Sequence, residues 1–207
     1  MIQIRNLIHS YGDTSIQYPD WDVDEGKHAM ILGNSGCGKT TLLHLMGGLM
    51  KVPKGSITIS GEKISEKSSS QLDRFRGENI GLIFQKPHLV SSLSVKENML
   101  LSQYLGKKKR DSDKVEETLS QLGILELKNR KIHQISQGQA QRVSIARAVL
   151  NSPKLLLADE PTASLDDENC DMVIKLLKNQ AKKYSSTLVI ATHDHRVKSE
   201  FGNMLEL

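Results

Sequence analysis

Directly after the apolar run Met30-Ile31-Leu32 the chain reads Gly33-Asn34-Ser35-Gly36-Cys37-Gly38-Lys39-Thr40, a G-x-x-x-x-G-K-T pattern. This segment constrains the fold because it works only as the turn between a strand and a helix, where backbone N–H groups and the helix N-terminus surround phosphate oxygens. Its glycines leave room for the backbone to wrap a polyphosphate. Lys39 is placed to reach β and γ phosphates as a compact point charge, and the Thr40 hydroxyl to ligate Mg²⁺. With Thr41 at the same helix start, residues 33–41 form the first candidate site.

The 207 residues suit one large domain, or a domain with a small subdomain. With aromatic content of only 4%, the core must be mostly aliphatic, as in parallel sheets covered by helices on both faces. The net charge is a modest +4. Its one basic cluster, Lys107-Lys108-Lys109-Arg110, lacks the interleaved aromatics of a base-stacking surface, so no nucleic acid is expected. The cluster reads either as a solvated turn between helices or as a contact with phosphates or anionic lipid headgroups. Cys37 and Cys170 lack C-x-x-C spacing and cannot form a disulfide framework, which points to a reducing compartment. Cys37 is either a neutral passenger or a thiol whose pKa the helix start and Lys39 lower. Neither a signal-peptide core nor a run of 18 apolar residues occurs, so any membrane role must come through a partner.

Two kinds of strand are predicted. Ile2 and Ile4, with a turn near Leu7, and Ile57 and Ile59 alternate with polar residues, as in antiparallel strands with one watered face. Residues 27–32, 80–84, 155–158 and 187–191 are instead continuous apolar runs followed by a polar residue. They predict a buried parallel sheet whose C-terminal edge carries the chemistry. Between the second and third lies a polar, helix-prone stretch with Lys107 to Asp113 as a turn and Val115, Leu119 and Leu122 as a helical stripe. It is read as an inserted helical subdomain at approximately 88–150. A terminal strand is expected at 204–207, with no further domain after it.

Asp159 and Glu160 end the third apolar run. Two adjacent carboxylates there are costly unless a cation or a proton transfer uses them. Asp159 would hold Mg²⁺ opposite Thr40, and Glu160 would deprotonate an attacking water. The pair also suits an acidic helix start ahead of Pro161. Gln85 and His193 close two other runs, so the parallel topology brings all these ends to one edge. Gln85 would ligate Mg²⁺ or water. His193 would donate to a γ-phosphate or hold Glu160. Farther on, Ile135-Ser136-Gln137-Gly138-Gln139 opens a helical pattern, with Ser136 and Gln139 spaced as a capping box and as a second anion site. Whether that site meets its own chain's nucleotide or a neighbour's is open at this level.

Taken in order, the phosphate loop, Gln85, residues 135–139, Leu155-Leu156-Leu157-Ala158-Asp159-Glu160, Ser164-Leu165-Asp166 and His193 resemble the ATP-binding subunit of ABC transporters over almost the whole chain. The resemblance implies an α/β fold: a P-loop NTPase core with a mostly parallel sheet, an antiparallel β-subdomain and an inserted helical subdomain. It implies ATP and Mg²⁺ as ligands and a head-to-tail dimer with two ATP molecules at its interface. Tyr11 then corresponds to the aromatic stacked on adenine, Ser136 and Gly138 to signature residues facing the opposite subunit's γ-phosphate, and Asp166 to the loop aspartate coupling the sites. Gln137 departs from the family pattern, which has glycine there, while Ser136, Gly138 and the capping helix stay available.

Within the family, the Phe84-Gln85-Lys86-Pro87-His88-Leu89 stretch followed by Leu93-Ser94-Val95-Lys96-Glu97-Asn98 is similar to the lipoprotein-releasing, macrolide or peptide exporter and cell-division ATPase group. Membership implies a cytoplasmic ATPase, peripheral at the inner face of the cell membrane through a separate permease-like subunit. A cell-division-like assembly ATPase, a small-molecule phosphotransferase and a soluble cassette ATPase acting on nucleic acid are the alternatives.

Overall fold

The computed structural model describes residues 1–12, 14–163 and 167–207, with side chains of all these except 167–169. In chain order the elements are β1 (Ile2–Tyr11), β2 (Thr14–Gln17), β3 (Trp21–Val23), β4 (His28–Leu32), α1 (Lys39–Met46), β5 (Lys54–Ile59) and β6 (Glu62–Lys63). There follow α2 (Ser69–Asn79), β7 (Ile80–Ile83), α3 (Val95–Leu105), α4 (Ser112–Gln121) and α5 (Gln137–Val149). The last are β8 (Leu155–Asp159), α6 (Asp167–Lys183), β9 (Thr187–Thr192) and β10 (Asn203–Glu206).

The continuous apolar runs form one parallel sheet in the order β10-β4-β9-β8-β7. The alternating runs form an antiparallel sheet in which β1 pairs with β2, β3 and β5. This is the expected P-loop NTPase-like α/β core with an antiparallel subdomain and helical insertions. Because strand residues alternate sides, the parallel sheet feeds two cores. Leu155 and Leu157 pack with α1 and the antiparallel sheet, whereas Leu156 and Ala158 pack under α3 to α6. Leu156 is fully buried, so cutting it to alanine would cost about 2–5 kcal/mol. Helix α5 lies directly on β7 at Gly81, where a Cβ would collide with the Ala148 carbonyl.

Several local features differ from the sequence reading. No turn interrupts β1 near Leu7; a bulge between Arg5 and Ile8, with Asn6 at φ +48°, shifts the strand's phase so that Ile2 and Ile4 and then Leu7 and His9 face inward. The turn at 107 ends at Asp111, whose side chain accepts from Lys114 N and starts α4. Val115, Leu119 and Leu122 are buried as the stripe predicts. Helix α2 was not foreseen because it is largely polar; its signal was the capping box of Ser68 and Gln71.

Candidate active site

Strand β4 delivers the phosphate loop, and α1 opens at its end with Gly38 at φ 105°, a left-handed conformation that a side chain would strain. The buried Tyr18 hydroxyl donates to the Gly38 carbonyl at 3.1 Å. Burial pushes its phenol up to about 12, so it remains a donor at physiological pH. Helices α2 to α5 each begin with a Ser or Asp side chain accepting from a backbone N–H. Helix α1 has no such cap and no acidic residue in its first turn. Its leading N–H groups are thus left for an external anion.

Lys39 is only 5% exposed and donates to the carbonyls of Gly33 (2.8 Å) and Asn34 (2.9 Å), with Glu160 Oε1 at 3.6 Å. The Thr40 hydroxyl donates to Asp159 Oδ1 at 3.1 Å. Burial pushes the Asp159 carboxyl up, against the Thr40 bond and the neighbouring His44, which favour its charge. Glu160 has φ 45°, outside the strand conformation, and its N–H donates to Ala191 O at 2.8 Å. That bend turns its side chain toward β9. Its Oε2 accepts from Thr192 Oγ1 at 3.1 Å and from the His193 backbone at 3.4 Å, while His193 Nδ1 lies 2.9 Å from Oε1 and 3.0 Å from Oε2.

These groups border a cavity of about 520 Å³. Ser35, Gly36, Gly38, Lys39, Thr40 and Thr41 line one side, and Gln85, Glu160 and His193 the other. Tyr11 closes a third side, its hydroxyl 3.2 Å from Thr41 Oγ1 and its ring half-exposed with an edge against His9. Gly33, Asn34 and Cys37 do not line the cavity, and the carbonyls of the first two accept from Lys39. Ser136, Gly138 and Gln139 do not line the cavity. They lie at the start of α5, Ser136 and Gly138 exposed and Gln139 half-buried, where Ser136 Oγ accepts from Gln139 N at 3.3 Å and Gln139 Oε1 accepts from Ser136 N at 2.9 Å. Gln137 is the first residue of α5 and leaves that capping box intact. Asp166 lies outside the described residues.

The donor set fits a nucleoside triphosphate with Mg²⁺. An uncapped helix start and a buried ammonium suit phosphates, and the Thr40 hydroxyl beside the Asp159 carboxylate offers hard oxygens to a small cation. Among the described residues no group of three His, Cys, Asp or Glu could hold a metal. The sequence reading stopped at His193 and missed Thr192 and Asp194. Asp194 Oδ2 accepts from Thr162 Oγ1 at 3.3 Å and from Arg196 at 2.7 Å, and Asp194 N donates to Thr192 Oγ1 at 3.0 Å. The polar triplet Thr192-His193-Asp194 after five buried residues was its only sequence signal.

Residues 16–163 match the family model described as ABC transporter. The chain is an ATPase of the ABC transporter family. This ABC ATPase is similar to the dimeric structure of MJ0796, described as a bacterial ABC transporter cassette, with 31% identity over 100% of this chain and 94% of that one and a TM-score of 0.90. A post-hydrolysis dimer of MJ0796 bound to ADP and Pi matches at 30% identity and TM-score 0.89, with the same coverage. Another match is cbiO1 from Clostridium perfringens, part of the ABC transporter complex cbiONQ, with 31% identity over 99% of this chain and 83% of that one and a TM-score of 0.87.

Proposed function

We propose that this chain, a single nucleotide-binding domain with its helical subdomain at approximately 88–150, hydrolyses ATP with Mg²⁺ to power a separate transmembrane subunit. The observation that carries this reading is the division of the anion-binding groups. Lys39, Thr40, Glu160 and His193 border one cavity, with Asp159 bonded to Thr40 beside it, whereas Ser136 and Gly138 are exposed and do not line it. One chain then holds half of each site, and a second copy placed head to tail supplies the other half, as the dimeric relatives suggest.

In this mechanism Tyr11 stacks on adenine and residues 33–41 receive the phosphates, Lys39 exchanging its loop carbonyls for β and γ oxygens. Thr40, Asp159 and Gln85 would hold Mg²⁺, which would supply charge neutralisation for phosphoryl transfer. Glu160 takes a proton from the attacking water. Thr192 and the His193 N–H fix its Oε2, and His193 Nδ1, donating to the carboxylate, fixes the ring for contact with the γ-phosphate. Ser136 and the start of α5 close over that phosphate from the partner, Asp166 couples the two sites, and hydrolysis reopens the dimer.

The membrane subunit would seat in a groove of about 630 Å³ bordered by Ile80, Leu82, Phe84, Leu101 and Leu105. Arg147 of α5 donates to the carbonyls of Pro87 (2.9 Å) and His88 (2.7 Å) beside it, tying the segment after Gln85 to the helix that starts at Ser136. Occupancy of the groove is thereby linked to both halves of the site. No helix among the described residues is long and apolar enough to cross a membrane. In this reading the partner holds the ATPase at the inner face of the cell membrane, and the likeness of residues 84–89 and 93–98 to the lipoprotein-releasing, macrolide or peptide exporter and cell-division group supports membership of that group. Extraction in mild detergent tests the assignment: stoichiometric recovery with an integral membrane protein is expected, and recovery with nucleic acid alone would overturn it.

A further inference from the structure

We propose that the turn between α3 and α4 is a contact for anionic lipid surfaces, with Tyr104 and Leu105 entering the lipid–water boundary and Lys107, Lys108, Lys109 and Arg110 meeting lipid phosphates. Tyr104 and Leu105 are 77% and 66% exposed, the most exposed large apolar side chains among the described residues. The four cations beside them are all exposed, and none forms an ion pair or side-chain hydrogen bond among the described residues. Neighbouring cations of the same region behave differently: Lys96 and Lys128 pair with Glu116, and Lys131 pairs with Glu97. Glu97 and Glu116 are thus paired with other cations, Asp111 caps α4, and the exposed Asp113 forms no ion pair with the run among the described residues.

The turn is also firmly held. Gln103, 2% exposed, donates from its amide to Asp111 O at 3.3 Å and accepts from Asp111 N at 2.9 Å, clasping both ends of the run. Lys107 N and Lys108 N donate to the carbonyls of Tyr104 and Gln103, and Lys107 takes φ 53°. A depression of about 370 Å³ beside the run is bordered by Lys108, Lys109, Lys114, Asn151 and Ser152, with the single acid Asp111. Fixed cations next to a bare aromatic and a leucine match an anionic interface, where the phosphates take the charge and the acyl boundary takes the apolar pair. A nucleic-acid backbone would satisfy the first and leave Leu105 in water. Leu105 and Gly106 also border the groove assigned to the membrane subunit, so the turn faces the bilayer if that assignment holds. The lipid contact itself does not depend on it.

Sedimentation of the full chain with vesicles tests this without a membrane subunit or hydrolysis. Binding is expected to vesicles of phosphatidylcholine mixed with phosphatidylglycerol, to weaken with salt, and to be absent on phosphatidylcholine alone. Replacing all four cations by glutamine should weaken it roughly 10²- to 10³-fold, at about one order of magnitude or less per cation near the surface. The charge-keeping Lys107→Arg, Lys108→Arg, Lys109→Arg variant should bind as the parent does, and unchanged nucleotide affinity shows that each variant is folded. Tyr104→Ala with Leu105→Ala should lose the part of binding that survives high salt. No binding to anionic vesicles, or equal binding by the glutamine variant, overturns the proposal. So does a run needed only for capture of the membrane subunit, which would assign it to an acidic protein segment.

Discussion

Helices α1 and α5 both present a positive helix end to solvent, yet they are finished in opposite ways. The start of α1 has no side-chain cap and is enclosed by Lys39, Glu160 and His193. The start of α5 satisfies itself through Ser136 and Gln139 and lies open. The first therefore offers its backbone N–H groups to an anion without breaking a cap, and only Lys39 has to release its loop carbonyls. The second must give up a local hydrogen bond to meet one, a cost of about 1 kcal/mol that contact with a highly charged phosphate readily exceeds. In the proposed mechanism this contrast separates binding from turnover: α1 would suffice for the first, and the second would wait for α5 of another copy.

The largest expected effect breaks the α1 half after binding. Glu160→Gln keeps the acceptors for Thr192 and His193 N–H but removes the base, so turnover should fall roughly 10²- to 10⁴-fold while ATP affinity survives. Gel filtration with ATP and Mg²⁺ should then show a longer-lived dimer; near-normal single-turnover hydrolysis would remove Glu160 from the role of base. Next, Lys39→Ala should weaken ATP binding by about 10- to 100-fold, the worth of a charged hydrogen bond. Equilibrium binding measures this, with circular dichroism confirming the fold, and unchanged affinity would contradict the placement of the ammonium.

Ser136→Ala sharpens the comparison from the other side. It should leave ATP affinity of the isolated chain unchanged, lower turnover, and cost about 1 kcal/mol of stability through the lost cap. Weaker binding by the monomer would mean that α5 serves its own cavity. In heterodimers, Lys39→Ala and Ser136→Ala placed on opposite subunits fall on a single composite site and should leave more hydrolysis than both placed on one subunit. The reverse ranking would refute sharing between copies.

The smallest effect concerns acid stability. Arg196 holds the Asp194 carboxyl down to about 2, so its stabilising contribution is present above the ordinary Asp pKa of about 3.9 and is lost as pH falls through 2. Asp194→Asn should thus lower the melting temperature near neutrality, and the deficit should vanish near pH 2. A deficit independent of pH would show that shape, and not charge, matters there.

Much of this was legible before any coordinates. The four buried strands were visible because a sheet covered on both faces demands unbroken apolar runs, and their polar ends named Gln85, Asp159, Glu160 and His193. Helix α2 escaped because its residues barely alternate in polarity, and the bulge in β1 because a one-residue phase shift resembles a turn. The tie from Asp194 to Thr162 joins segments far apart in sequence, and no local pattern encodes it. Nor did the sequence reveal that Lys39 rests on its own loop carbonyls.

Strand β4, which launches the phosphate loop, lies between β9 and β10. Both neighbours come from residues 187–206, so during synthesis from the N-terminus the loop-bearing strand waits without a sheet partner while everything between is made. Such long-range pairing closes late. Nucleotide occupancy of a nascent chain would therefore report on completion, and a truncation that removes residues 187–206 would leave the whole G-x-x-x-x-G-K-T motif with nowhere to stand.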